Sequence, residues 1–264
     1  SAIAYQAYKE AIGQTGYLAI RCGNSNARID AVFQHFKMTL PPFIADVTPR
    51  VSDIMTRRLH SVTQASTCFE ALRLIDDHDV RALPVLSPEK KLEGLISIFN
   101  LGEYFVPKPS DPRKMRHVRT SIDAIVRSLG AERLHVVRGN EIEDFFVRIG
   151  AMSIDSFAQV SHQEGISHEQ SIVIVGDRFD IQKRAVDLKF RLIIVTGGRC
   201  VDSGILKTAQ ENGVSIIRGH FDSATISWIT RAAEFVGSVM DQNVFTCHVD
   251  EKLNLVRKKV ADAF

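Results

Sequence analysis

The chain has 264 residues, 45% hydrophobic and 24% charged, with a net charge of +2. That balance is ordinary for a folded globular protein, and the length suits one large domain or two to three small ones. It excludes a global basic field for nucleic acid and the acidic excess that keeps chains disordered.

Apolar runs such as 171–175 and 192–195 are far too short to span a bilayer, so no membrane partner is expected. The first residues lack a basic stretch ahead of an apolar one, so no signal peptide is read there. Cys22, Cys68, Cys200 and Cys247 are far apart and form no CxxC pair. They read as reduced, mostly buried thiols of a cytoplasmic protein.

Residues 1–12 carry a helical pattern with no cap, and 253–264 close on another, with Leu253, Val256, Val260 and Phe264 at helical spacing. Together the two ends read as a chain truncated at both. A short strand is expected at 17–21 and a helix at 27–36, which Pro41-Pro42 ends. From Val47 the grammar changes. A lead-in turn at 51–55 precedes a strand at 59–62 and a helix at 67–77 with Phe69, Leu72 and Ile75 on one face. A strand at 82–86, a polar turn at 87–91, a returning strand at 92–98 and a helix opening at Asn100 follow. This is β-α-β-β-α in one short module.

Residues 106–119 read as a solvated linker, with Pro107, Pro109, Pro112, Arg113, Lys114, Arg116 and Arg119. After a helix at 121–129, strand and helix alternate. Strands are expected at 133–137, 145–151, 172–176, 192–195 and 214–217, and helices at 154–163, 179–188, 203–212 and 222–235. Strands apolar throughout and joined by helices argue for a largely parallel sheet covered on both faces. Then the earlier grammar restarts. Residues 236–240 echo 51–55 in ending on Met, 243–246 echo 59–62 as a strand, and 251–260 echo 67–77, giving the first half of an internal repeat.

Val51-Ser-Asp-Ile-Met-Thr, Arg81-Ala-Leu-Pro-Val-Leu and Leu92-Glu-Gly-Leu-Ile-Ser-Ile-Phe-Asn-Leu resemble a cystathionine-β-synthase-type (CBS) domain. Gly176-Asp177-Arg178, Thr196-Gly197-Gly198 and Asp222-Ser-Ala-Thr resemble the DRTGG domain. A CBS domain, a DRTGG domain and a second CBS domain in that order resemble the regulatory insert of family II, manganese-dependent inorganic pyrophosphatases. Tyr17-Leu-Ala-Ile-Arg-Cys-Gly-Asn-Ser-Asn, Val32-Phe-Gln-His-Phe and Leu40-Pro-Pro-Phe-Ile-Ala-Asp-Val are similar to that family's stretch between catalytic domain and insert. Arg28-Ile29 stands where the family has Glu-Thr. The fold expected is α/β: a CBS-type β-α-β-β-α module and a doubly wound, largely parallel DRTGG domain, with a partial second CBS repeat. The domains read as a catalytic-domain remnant at 1–46, CBS domain 1 at 47–106, linker and helix at 107–131, DRTGG at 132–235 and half of CBS domain 2 at 236–264.

The resemblance implies a cleft for an adenine nucleotide, AMP, ADP, ATP or a diadenosine compound, and a homodimer. The candidate nucleotide-binding residues are His60, Ser61, Thr63, Arg81, Ser97 and Asn100 in the first repeat and Thr246, Cys247 and His248 in the second. Arg57 and Arg58 are further cations for phosphate. The family usually has Ser or Thr and Asp where Ser97 and Asn100 stand; Asn offers a hydrogen bond in place of a charge-assisted one, so this half-site is expected to bind more weakly. Asp177, Arg178, Thr196, Gly197 and Gly198 mark a second candidate, at the strand ends where parallel sheets bind ligands.

No hydrolytic motif, phosphate loop or metal-ligand spacing is found, and the histidines share no spacing. No cofactor is expected in these residues. Manganese, or cobalt or magnesium, belongs to the catalytic domain that the resemblance implies elsewhere. A stand-alone nucleotide sensor and a ligand-free dimerisation module remain as alternatives.

Overall fold

The computed structural model describes residues 2–106, 116–151 and 166–263. The chain forms two compact units, Ser1–Arg57 with Phe245–Phe264, and Arg58–Val244.

In the first unit, α1 spans Ala2–Ala11 and α2 spans Ala27–His35. Asn26 caps α2, its side chain accepting the Ile29 N–H at 3.0 Å. The strand expected at 17–21 does not form. Arg21 makes an isolated parallel bridge to Phe43, donating to Pro42 O at 3.0 Å and accepting from Ile44 at 3.0 Å. Pro41 and Pro42 have no N–H to extend the ladder. The lead-in turn is one helical turn, α3, Val51–Ile54. Its amides reach the far end of the chain: Val51 donates to Glu251 O at 3.0 Å and Ser52 to Val249 O at 2.8 Å.

In the second unit, Thr67 caps α4, Cys68–Asp77, and Glu70 completes a capping box. Strands β1, Ala82–Leu86, and β2, Leu92–Ser97, pair antiparallel, and α5, Ile98–Phe105, follows directly. The strand expected at 59–62 contracts to a bridge between Val62 and Val85. Val62 donates to Pro84 O at 3.1 Å and accepts from Leu86 at 2.8 Å. The next rung toward His60 would need an N–H from Pro84, which has none, so the ladder stops.

Cys68, Ala71 and Ile75 are the buried residues of α4; of the expected stripe, Ile75 is among them and Leu72 and Phe69 are partly buried, Leu72 against the core of the small sheet and Phe69 against that of the larger sheet. Cys68, Leu83, Val85, Ile96 and Leu101 form this core with Val236, which arrives from the other side of the chain. Residues 236–241 close the module. Val236 donates to Ser66 O at 2.8 Å, and Leu95 and Asp241 exchange two backbone hydrogen bonds of 2.9 Å. The strand expected at 243–246 is absent; Asn243 instead closes a turn on Asp241 Oδ1 at 2.8 Å. In the first unit α10 spans Leu253–Ala263.

The larger sheet has six strands: β3 (His117–Thr120), β4 (Glu132–His135), β5 (Glu143–Ile149), β6 (Ser171–Val175), β7 (Leu192–Val195) and β8 (Ser215–Arg218). Their order is β3-β5-β6-β7-β8-β4. The four central strands are parallel and both edge strands antiparallel. The helices are α6 (Ile122–Leu129), α7 (Phe179–Asp187), α8 (Ser203–Asn212) and α9 (Ser223–Ala232). Alternation splits the core. Ile172, Ile174, Leu192 and Ile194 pack with α6 and α9, while Val173, Val175, Ile193 and Val195 pack with α7 and α8.

β3 lies where a linker was expected. Val118 and Thr120 are fully buried while His117 and Arg119 point outward, an alternation too short to stand out against the charges. The prolines and Arg113 and Lys114 of that linker, and the helix expected at 154–163, lie outside the described residues. The expectation of mostly buried thiols is corrected: Cys68 is buried, Cys247 half-buried, and Cys22 and Cys200 are exposed.

Candidate functional site

Strand register places the first-repeat candidates. Ala82 pairs with Ser97, and the Ile98 N–H donates to Arg81 O at 3.1 Å, so the start of β1 meets the end of β2. Val62 runs parallel to Val85, which sets His60 and Ser61 toward that end and Thr63 toward the other. His60, Ser61, Arg81, Ser97 and Asn100 are thus brought to one end of the small sheet. Thr63 is not: its amide donates to Ser66 Oγ at 3.1 Å in a local turn.

The helix after Ser97 opens at Ile98, so Asn100 is its third residue rather than its first. Asn100 Oδ1 accepts from the Ser97 N–H at 2.9 Å and from the Ser97 hydroxyl, and the Asn100 N–H donates to Ser97 Oγ at 3.3 Å. This capping box occupies the carbonyl oxygen of Asn100 and leaves its Nδ2 donor outside the box. Among the described residues no carboxylate pairs with Arg81, which is exposed. His78 was missed by the sequence reading. Its ring stacks on His60, centroids 3.5 Å apart and 14° between planes. Nothing in its spacing marks it; the contact arises because α4 ends at Asp77 and turns back toward the sheet.

Thr246, Cys247 and His248 belong to the first unit. The His248 N–H donates to Glu251 Oε1 at 3.0 Å, and His248 Nδ1 accepts the Asp250 N–H at 3.3 Å. The His248 amide and Lys259 hold the Glu251 carboxyl below its ordinary range.

The helix after the bridge also reaches the larger sheet. Arg127 of α6 donates through Nε to Glu70 at 2.6 Å, and the Thr67 and Ser128 hydroxyls lie 3.3 Å apart. Phe69 meets Trp228 of α9 edge to face, centroids 6.0 Å apart. Glu234 ties the two together: its backbone O accepts the Cys68 N–H at 2.8 Å, and its buried carboxylate accepts the Arg119 N–H at 2.6 Å. Contacts from α4 thus run to α6 and α9 and, through Glu234, to β3.

The second motif gathers at the carboxyl ends of the parallel strands. The Thr196 N–H donates to Val175 O at 3.0 Å, so the loops carrying Asp177-Arg178 and Thr196-Gly197-Gly198 are adjacent. Gly197 and Gly198 both sit at φ +64°, which glycine adopts without a side-chain penalty. Their amides donate to Phe221 O and Gly219 O, each at 2.9 Å, binding this loop to the one after β8. Arg178 pairs with Asp180 at 2.6 Å rather than with its neighbour Asp177. That contact pushes the Arg178 guanidinium up and holds the Asp180 carboxyl low. Among the described residues no three His, Cys, Asp or Glu side chains converge as a metal centre would, and no helix is long and apolar enough to cross a membrane.

Residues 51–106 match the CBS domain family and residues 124–233 the DRTGG domain family. The chain carries a CBS domain followed by a DRTGG domain. It is 27% identical over 227 residues to the cobalt-dependent inorganic pyrophosphatase of Clostridium perfringens, covering 86% of this chain and 40% of that protein. It is 22% identical over 275 residues to a probable manganese-dependent inorganic pyrophosphatase of Thermotoga maritima, covering 98% of this chain and 46% of that protein. The chain thus spans less than half the length of the curated relatives it matches. Among solved structures it is similar to the CBS and DRTGG regulatory region of the Clostridium perfringens pyrophosphatase, complexed with its activator diadenosine tetraphosphate. The TM-score is 0.66 with 25% identity, over 81% of this chain and 90% of that one. The CBS–DRTGG chain is homologous to that regulatory region.

Proposed function

We propose that this CBS–DRTGG chain is the adenine-nucleotide-sensing regulatory region of an inorganic pyrophosphatase. What carries the reading is the likeness to a regulatory region that holds a diadenosine activator, together with one sheet end that gathers His60, Ser61, Arg81, Ser97 and Asn100. Arg81 neutralises phosphate, the Ser97–Asn100 cap offers donors, and the His60–His78 stack borders them. Asp177, Arg178, Thr196, Gly197 and Gly198 keep the strand-end loops of the DRTGG domain in place. Thr63 joins the nucleotide site only if its turn rearranges, and Thr246, Cys247 and His248 supply the half-site of a second CBS repeat that opens at 236.

Residues 1–46 belong in this reading to a catalytic domain whose manganese or cobalt performs diphosphate hydrolysis. The protein works in the cytoplasm as a homodimer; Ile98 and Phe99, exposed on the first turn of α5, give a second copy an apolar face to cover. Nucleotide favours one arrangement of the CBS repeats, and the contacts of α4 pass that preference on with a coupling of about 1–3 kcal/mol.

Isothermal calorimetry with AMP, ADP, ATP and diadenosine tetraphosphate tests this. Saturable binding by at least one, weakened about tenfold in Arg81→Ala, is expected. Absence of heat with all four would remove the sensor reading and leave a ligand-free dimerisation module, which sedimentation would then identify.

A further inference from the structure

Between the first turns of α7 and α8, where the loops leave β6 and β7, a cavity of about 470 Å³ opens. Among the described residues, Phe179, Val201 and Ile205 form its apolar walls, and Asp180, Lys183, Asp202 and Cys200 also line it. Its volume suits a small ring-bearing molecule, and apolar walls with a few polar groups are the usual make-up of such sites. Phe179 is 50% exposed, a large apolar ring left half in water that a ligand would cover.

The charges decide what else the ligand carries. Asp180 is held by Arg178 at 2.6 Å. Asp202 caps α8, accepting the Gly204 N–H at 2.8 Å and the Ile205 N–H at 3.2 Å. Lys183 has no ion-pair partner among the described residues. Asp180 thus has an ion-pair partner and Asp202 the amides of its own helix, while among the described residues Lys183 has neither.

We propose that this cavity is a second ligand site, taking a small molecule that joins an apolar ring to a carboxylate or phosphate. The ring lies against Phe179, Val201 and Ile205, and the anion meets Lys183. The site stands apart from the nucleotide reading. It lies on the α7–α8 face of the sheet, whereas Phe69 of the CBS module packs on the α6–α9 face.

The full chain carrying Cys22→Ser and Cys247→Ser retains Cys200 as its exposed thiol, beside buried Cys68. The probes are phenyl phosphate and benzoate, with benzyl alcohol and inorganic phosphate as the separate halves. The readouts are the alkylation rate of Cys200 by iodoacetamide and the amide chemical shifts of 179–183 and 200–205. Phenyl phosphate or benzoate should slow alkylation several-fold and saturably and move those amides, while neither half does so at the same concentration. Lys183→Met should weaken binding about tenfold and Lys183→Arg should restore it. No protection by either ring-bearing anion, equal protection by a separate half, or unchanged binding in Lys183→Met would each overturn the proposal.

Discussion

Asn100 caps a helix in the structure and faces the ribose in the nucleotide reading we propose. Its Oδ1 closes the cap of α5 on Ser97, so a ribose hydroxyl would meet an amide donor instead of a charged acceptor. Asn100→Asp keeps the capping oxygen and supplies a second, charged one. It should tighten adenine-nucleotide binding by several-fold to about tenfold in calorimetry, with little change in thermal stability. Cys68 shows the opposite kind of placement. Burial pushes its thiol up to about 12, with the Glu234 carboxylate adding to the shift. A thiol so raised stays protonated until the pH approaches that value, so only roughly one in 10,000 is thiolate near pH 8. Native-state labelling with a disulfide reagent should therefore modify Cys22 and Cys200 quickly and Cys68 only on unfolding. Rapid loss of all four thiols would contradict the burial described.

Helix α4 is an element with two clients. Cys68, Ala71 and Ile75 fill the CBS core, and Phe69 and Glu70, on a different side, meet Trp228 and Arg127 of the DRTGG domain. Trp228 is the single tryptophan of the chain, so the emission comes from the ring that meets Phe69. Nucleotide added to the wild-type chain should change that emission, and Phe69→Ala should suppress the change while leaving the calorimetric affinity nearly intact. An unaltered response in Phe69→Ala would show that α4 does not carry the coupling.

The sequence made the apolar parallel strands and most helices legible, because runs such as 171–175 and 192–195 are apolar on both faces. It found Phe69, Leu72 and Ile75 on α4 but not the fully buried Cys68 and Ala71, because helical spacing finds apolar stripes without saying which partner each one meets. It missed β3, whose two buried residues sit among basic neighbours, and overextended 59–62, where Pro84 on the partner strand ends the ladder. Of the candidate site, five first-repeat residues came together at one sheet end. Thr63 was drawn away by a local hydroxyl bond, and His78 had no spacing to give it away.

At the scale of the whole molecule, the two lead-in turns exchange partners along the chain. The turn at 51–54 bonds to 249–251, and the segment 236–241 bonds to 64–66 and to Leu95. Gly94 makes the second exchange possible. A Cβ there would lie 2.7 Å from Asp241 O and 2.8 Å from Met240 Sδ, and the backbone oxygen has no room to yield while Asp241 stays bonded to Leu95. Gly94→Ala should cost about 1–3 kcal/mol in urea unfolding, with faster hydrogen exchange at 94–96.

The exchange also dictates an order of events during synthesis. The small CBS sheet is made early, yet the Val236 side chain that fills its core and the strand-like partner of Leu95 emerge only after the whole DRTGG domain. Folding that domain sets β3 beside the end of α9, where the Thr120 hydroxyl donates to Ala233 O at 2.5 Å, and so delivers Val236 to its place. Closing that long loop in an unfolded chain is entropically uphill, which makes the DRTGG domain a template for the module that precedes it. Pulse-labelled hydrogen exchange during refolding should find protection at 172–174 before 94–96; the reverse order would mean the CBS core closes without its distant partner.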